Sequence, residues 1–570
     1  MRNTSLIFSI ATWMLIFTSC NKALDLRPQG SIDKVALSDA NGIDLIVTNA
    51  YASLTQSLRG GTPANWSFGS IYGGDANKGS TPGDGPAAMI QIEFYNILSN
   101  NEWCLEKWNF NYQLIKNANH AMNFVNSAGD NVNADLKKKR KGELLFLRAL
   151  GYFELRRFFK MVPYVDDVLE ATDNNPKVKN DTDIYPKIEA DLVEAIGLLP
   201  EVQDNVGRVN KWAAQALLCK VYMYENKFSA AAPLLKGIID LGMNSRGVKY
   251  QLTPKYSDNF NIATENNSET VFAIQHSTDD PAGGNADPGM IGNQPYGSAG
   301  VIAGWGLFQP SFSLVNSFQV DAAGLPKLDG SYMNSVIPGC NVAGANGVTD
   351  IADKTMPVDP RLDHTVGRRG VPYYDWGMMK EDWVRDAANG GFFLPKKNVW
   401  RKTDVYYTSK LSALNTNLIR FADVLLWYAE ALAETDKPAD GRMYVNIVRA
   451  RAANDLVMLN GQPAANYKVS EYPASYFDSK EKALKAIRFE RKLEFGMEGT
   501  RFFDLQRWGY AVAKEELGYY ILKEKEHLSK FAAVPAFSEY KMVFPIPETQ
   551  ILSMGNAEDG QPYLKQNPGY

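Results

Sequence analysis

Glu481–Tyr510 reads EKALKAIRFERKLEFGMEGTRFFDLQRWGY, and two superposed periods in it decide how the chain folds. Ala486, Phe489, Leu493 and Met497 recur at spacings of three and four, so they line one face of a helix. Glu490, Glu494 and Glu498 follow at i, i+4 and i+8 on another face. Like charges so spaced repel by roughly 0.2–0.5 kcal/mol per pair. Cations must therefore stand among them, and Arg491, Arg501 and Arg507 are the nearest suppliers. Gly499 is expected to end the helix as a C-terminal glycine does. Phe502, Phe503 and Trp508 then cover the charges from one side. The expectation is a buried knot of arginine and carboxylate beneath aromatic rings. A glycosidase pair needs acids on both sides of a sugar, whereas these three share one side.

Around this stretch the composition is that of a large folded protein. Of 570 residues, 45% are hydrophobic and 12% aromatic, ample for a substantial core. The 60 basic and 64 acidic residues leave a net charge of −4, with no basic stripe of the kind nucleic acid requires. Residues 1–19 read as a targeting segment, with Arg2 as its positive end and Leu6–Phe17 as a short apolar run. No later apolar run has the roughly 18 residues of a membrane helix. Cys104, Cys219 and Cys340 cannot all pair, there is no CxxC, and the four histidines are scattered. Cys104 and Cys219 sit among apolar helical residues and read as buried thiols.

Helical periodicity covers most of the remainder. Residues 39–58 form a first helix, and residues 102–160 a long antiparallel pair in which Trp108, Tyr112, Ile115, Ala118 and Met122 share a face. Tyr185–Leu199, Asn210–Asn226 and Phe228–Leu241 follow. KWAAQALLCKVYMYENKFSAAAPLLKGII reads like a tetratricopeptide unit, with small Ala213, Ala214 and Ala216 allowing close approach. Residues 245–400 lack helical period, although Thr270–Ser277 suits a strand, and helix returns over Asn417–Thr435. The fold class is mostly α: a tetratricopeptide-like helix-pair scaffold packed against an irregular, loop-rich half. The division is residues 1–19, a tether over 20–38, a helical region over 39–244 and a second region over 245–570.

Several stretches resemble one family. ERKLEFGMEGTRFFDLQRWG is similar to the C-terminal hallmark of the SusD/RagB family, the surface glycan-binding lipoproteins of Bacteroidetes. EKWNFNYQLIKNANHAMNFV, GELLFLRALGYFELRRFFKMVPYV, GWGLFQPSFSLVNSF with DPRLDHTVG, and NLIRFADVLLWYAEALAET resemble further pieces of it, in order. The closing Pro-Ile-Pro and Gln-Asn-Pro-Gly-Tyr match its ending. Phe-Thr-Ser-Cys resembles a lipobox, which implies that Cys20 becomes a lipidated N-terminus; an ordinary secretory signal cut nearby is the alternative. The resemblance implies a SusD-like fold, an outer-membrane, cell-surface location and a partner, the SusC-like TonB-dependent transporter, over which such proteins close as a lid. It implies no cofactor and no enzyme activity.

Sugars are held by flat aromatic faces against their C–H patches and by amide, carboxylate or guanidinium groups on their hydroxyls. Most aromatic residues of such a chain are core, so the informative ones lie in polar, glycine-rich loops. Residues 59–90 carry Trp66, Phe68 and Tyr72, and a long loop of this kind is usually functional or disordered. The second such loop, before residue 310, carries Tyr296, Trp305 and Phe308. Asp75, Asn77 and Lys78 beside Tyr72, and Asn293 and Gln294 beside Tyr296, are the candidate polar partners. The family resemblance also points to these two regions. The acids of Asp279–Asp287 are irregularly spaced for calcium. Gly74–Ser80 has the order Lys-Gly-Ser rather than that of a phosphate loop. The other function classes are a peptide binder of the RagB type and a surface glycoside hydrolase. Exposed Trp and Tyr among small polar residues favour sugar, since a peptide site shows apolar pockets or an open strand edge.

Overall fold

A computed structural model describes residues 39–55, 66–173, 176–278, 290–297, 304–337, 355–397, 399–404 and 411–570. Cys20, Cys340, the acids of Asp279–Asp287, and the leader and tether regions lie outside the described residues.

Among the described residues, the helices of eight residues or more are α1 (Ala40–Ala52), α2 (Glu102–Ser127), α3 (Ala134–Phe159), α4 (Tyr185–Leu198), α5 (Lys211–Tyr224), α6 (Phe228–Leu241), α7 (Phe421–Glu434), α8 (Pro438–Ala453), α9 (Lys480–Phe495), α10 (Arg501–Trp508) and α11 (Tyr510–His527). Side-chain caps set several of their starts. Asn101 accepts from the N–H groups of Trp103 and Cys104, Asn210 from Ala213 and Ser479 from Lys482. Successive helices pack on one another from α1 to α6, and the stack continues directly from α6 to α7 and α8. The scaffold thus runs past residues 242–420, which leave it and return. Ala213, Ala214 and Ala216 are buried in α5, as close packing of helix pairs requires. Cys104 and Cys219 are free and buried. Among the described residues no helix is long and apolar enough to cross a membrane.

The strands are short: β1 (Ala76–Gly79) pairs antiparallel with β3 (Leu307–Pro310), and β2 (Thr270–Ile274) with β4 (Thr416–Arg420). β4 corrects the expectation of helix from Asn417. Its pairing with a strand more than 140 residues away overrides the local pattern, and helix begins only at Phe421.

The expected knot exists, but its cations differ from those expected. Glu490, Glu494 and Glu498 meet Arg361, Arg420, Arg449, Arg451 and Lys397, all contributed from outside the hallmark. With Glu269 and Asp359, five carboxylates face five cations, so the cluster is neutral. Arg361 lies 2.7 Å from Glu490 and 3.1 Å from Glu494; Arg420 lies 2.9 Å from both Glu494 and Glu498. Arg491, Arg501 and Arg507 instead pair with Asp423 and Asp504, with Glu516, and with Glu430 and Asp504. Helix α9 ends at Phe495, four residues before Gly499, and Met497 and Gly499 turn the chain with positive φ. Phe502 and Phe503 belong to an aromatic core with Tyr72, Phe158 and Phe544, while Tyr256, Phe260 and Phe495 lie over the knot's cations.

Candidate functional site

Most of the candidate residues in the first loop are interior. Phe68 packs edge-on against Phe158 and Phe544. Tyr72 is 1% exposed and donates its hydroxyl to the carbonyl of Lys541 at 3.0 Å. Asp75 accepts from the backbone N–H of Met497 at 3.2 Å. Asn77 donates to Glu524 at 2.7 Å and accepts from the Tyr520 hydroxyl at 2.8 Å. Lys78 donates to the carbonyls of Thr81 and Asp84. Trp66 is half-buried between Trp103 and Phe308. In the second loop Asn293, Gln294 and Phe308 are likewise buried. Glycines and small polar residues allow this backbone to enter the core, where β1 and β3 satisfy its polar groups. Composition alone does not distinguish that use from a solvated loop.

Buried Asp75 has a measurable consequence. Burial raises its carboxyl to about 6 against the pull of Arg501 and the Met497 N–H, and its Oδ1 has no hydrogen-bond partner among the described residues. A raised carboxyl stabilises the fold below its unfolded value near 3.8 and loses that contribution as pH rises through about 6. The rise corresponds to roughly 3 kcal/mol. Asp75→Asn should therefore be more stable than the parent at pH 8, with the difference vanishing at pH 4, measured by urea unfolding at both values.

Two candidates are well exposed: Tyr296 at 41% and Trp305 at 51%. Between them stands Arg385, which sequence reading missed. Its guanidinium carbon lies 4.6 Å from the Tyr296 ring centre and 5.7 Å from that of Trp305. Arg385 pairs with Asp84 and donates to the Ser80 hydroxyl at 3.3 Å; Ser80 in turn donates to Asp84 at 2.6 Å. Ser80 and Asp84 belong to the end of the first glycine-rich region, so the two loops do converge, through residues other than those expected.

The shelf is fixed from behind. The Tyr296 N–H donates to the Trp383 carbonyl at 2.9 Å, and Gly304 and Gly306 donate to the carbonyls of Pro295 and Gln294. Asn389, in the short helix Ala387–Gly390, donates to the carbonyls of Gly79 and Ser80 at 3.0 and 2.8 Å. Gln309 of β3 joins the same layer, donating to Gly391 and Phe393 at 3.0 Å and accepting from Ser80 N–H at 3.2 Å. The result is two aromatic rings on a polar shelf whose central cation is tethered to a carboxylate. Such a surface can stack on apolar ring faces and donate to hydroxyls. A solitary Arg within DWVRDAANG offers no local signal for this role. Among the described residues there is no His, Cys, Asp or Glu cluster arranged to hold a metal.

Comparison with known proteins accords with this architecture. A model described as "Starch-binding associating with outer membrane" matches residues 39–223. A SusD-like protein of Bacteroides ovatus is 25% identical, covering 90% of this chain and 84% of that one. A SusD superfamily protein of Bacteroides vulgatus superposes with a TM-score of 0.68 at 20% identity, over 94% of this chain and all of the other. A laminarin-binding SusD-like protein does so with a TM-score of 0.65 at 23% identity, over 93% of this chain and all of that one. The model of the SusD family itself matches residues 268–570, more than half of the chain including the knot, Tyr296, Trp305 and Arg385, and the chain belongs to that family.

Proposed function

We propose that the protein captures a polysaccharide or oligosaccharide at the cell surface, without cleaving it, and delivers it to a SusC-like TonB-dependent transporter in the outer membrane. Membership of the SusD family supports the role, and attachment through a lipid on Cys20 would hold the protein there. The observation that carries the reading is the pair of exposed rings, Tyr296 and Trp305, on either side of Arg385. Aromatic rings left in solvent forgo burial, and two that share one cation form a patch suited to the alternating apolar and hydroxylated faces of a pyranose. Because one relative of the same fold binds laminarin, that glucan belongs in the first panel.

The test titrates the chain beginning after Cys20 with laminarin, starch, xylan and galactomannan, following tryptophan fluorescence and reducing-end release. Saturable binding to one class is expected, without new reducing ends. Trp305→Ala and Tyr296→Ala should each weaken it at least tenfold, about 1.4 kcal/mol. Because both rings are exposed, neither variant should change the unfolding midpoint. Binding of peptides but no glycan would replace the reading with peptide capture, and release of shorter sugars would replace it with hydrolysis.

A further inference from the structure

We infer that the shelf selects uncharged glycans, and that Asp84 is the residue that sets this selectivity by neutralising Arg385. This rests on taking Tyr296, Arg385 and Trp305 as the glycan platform. Arg385 is the only cation that the described residues place against either ring. A bare guanidinium in that position would be a bidentate receptor for the carboxylate of a uronic acid or for a sulfate ester. It is not bare. Asp84 pairs with Nη1, and the same nitrogen donates to Ser80. These are the polar contacts of Arg385 among the described residues, where the Nε–H and Nη2–H donors face no other partner and can serve a ligand.

Those donors can serve the oxygens of neighbouring hydroxyls, which bring no charge. A ligand carboxylate on the same fork would sit within a few ångströms of the Asp84 carboxylate and be repelled by it. The surroundings add to that bias. Asp386, a further carboxylate, adjoins Arg385 in the chain and caps the following short helix. Lys78 cannot contact a ligand, because it is buried and its ammonium group points at the carbonyls of Thr81 and Asp84. Asp84 also stays ionised: partial burial works to raise its carboxyl, but hydrogen bonds from Ser80 and Thr81 and the Arg385 charge hold it below the usual range. The side chains of Arg385 and Asp84 are each about one-fifth exposed, enough to meet a ligand while remaining paired.

The experiment compares laminarin, soluble starch and galactomannan with polygalacturonate, alginate and chondroitin sulfate, by affinity electrophoresis and calorimetry at low salt. The wild type should bind its best neutral polysaccharide at least tenfold more tightly than any acidic one. Asp84→Asn should raise affinity for an acidic polysaccharide tenfold or more, and the double variant with Arg385→Gln should lose that gain. A thermal midpoint close to the parent's is required of each variant, and Gly83→Ala serves as the neighbouring control. Equal wild-type affinity for acidic and neutral chains, or an unchanged ratio in Asp84→Asn, would overturn the inference while leaving the platform intact. If Trp305→Ala leaves binding of the preferred polysaccharide unchanged, the platform itself is wrong and the inference falls with it. Failure of every polysaccharide to bind would remove both.

Discussion

Replacing Glu494 with Gln should cost about 3–5 kcal/mol of stability, the loss expected when one partner is removed from a buried ion cluster. The side chain is fully buried and contacts three arginines: Arg361 at 3.1 Å, Arg420 at 2.9 Å, and Arg451. A glutamine keeps the shape and one acceptor but leaves the knot with five cations against four carboxylates, out of reach of water. Burial alone would push the Glu494 carboxyl up, yet Arg451, Arg420 and Arg361 outweigh it and hold the group far below its ordinary value. A depressed carboxyl stabilises the fold above its unfolded value and loses that contribution only as pH falls through the folded one. Glu494 should therefore keep its full contribution from pH 8 down to about pH 5, the opposite of the dependence of Asp75. Urea unfolding of Glu494→Gln measures the loss, and Arg451→Met added to it should restore part, since the pair then leaves together. A loss below about 1 kcal/mol would mean that water reaches the cluster.

That knot also shows how far a single sequence can be read. Three glutamates on one helix face demand cations, and that demand was legible from spacing alone. Which cations answer it was not, because Arg361, Arg420, Arg449 and Arg451 come from segments that only the folded chain brings together. The stacked pairs α2 to α6 were legible to within a few residues, because each carries its own period, and α2, α3 and α5 open on asparagine caps. β4 was not, because a strand that pairs with distant β2 carries no local mark. The same division runs through the candidate site. Tyr296 and Trp305 stood out as aromatic residues in a glycine-rich loop, and both are exposed. Tyr72, Asp75, Asn77 and Lys78 had the same kind of surroundings but are buried, since glycine serves backbone packing as readily as it serves a solvated loop. Arg385 and Asp84 were invisible as a pair, separated by some 300 residues and joined only by folding.

The contact that anchors the first loop against the hallmark gives the second large effect. Gly69 lies in the single turn Trp66–Ile71, and a Cβ built there would fall 1.8 Å from the carbonyl oxygen of Gly499 and 2.2 Å from its carbon. Both atoms are backbone, so no rotamer can relieve the overlap. The neighbouring hydrogen bond, from Gly499 N–H to the Ser70 hydroxyl at 3.0 Å, fixes the two segments at that distance. Gly69→Ala should therefore separate the first loop from the hallmark and cost about 3 kcal/mol or more, the upper end for overpacking. The effect should reach the shelf as well. β1 and Ser80 follow Gly69 in the same buried segment, Asp84 lies just beyond it, and Ser80 and Asp84 hold Arg385 between the two rings. Loss of glycan affinity should thus accompany loss of stability, although Gly69 touches no surface. Gly83→Ala, where no atom lies within 4 Å of the added carbon, should change neither. Calorimetric unfolding and a laminarin titration on the two variants separate the outcomes. A Gly69→Ala protein within 1 kcal/mol of the parent would show that the two backbones can part without disturbing what they hold.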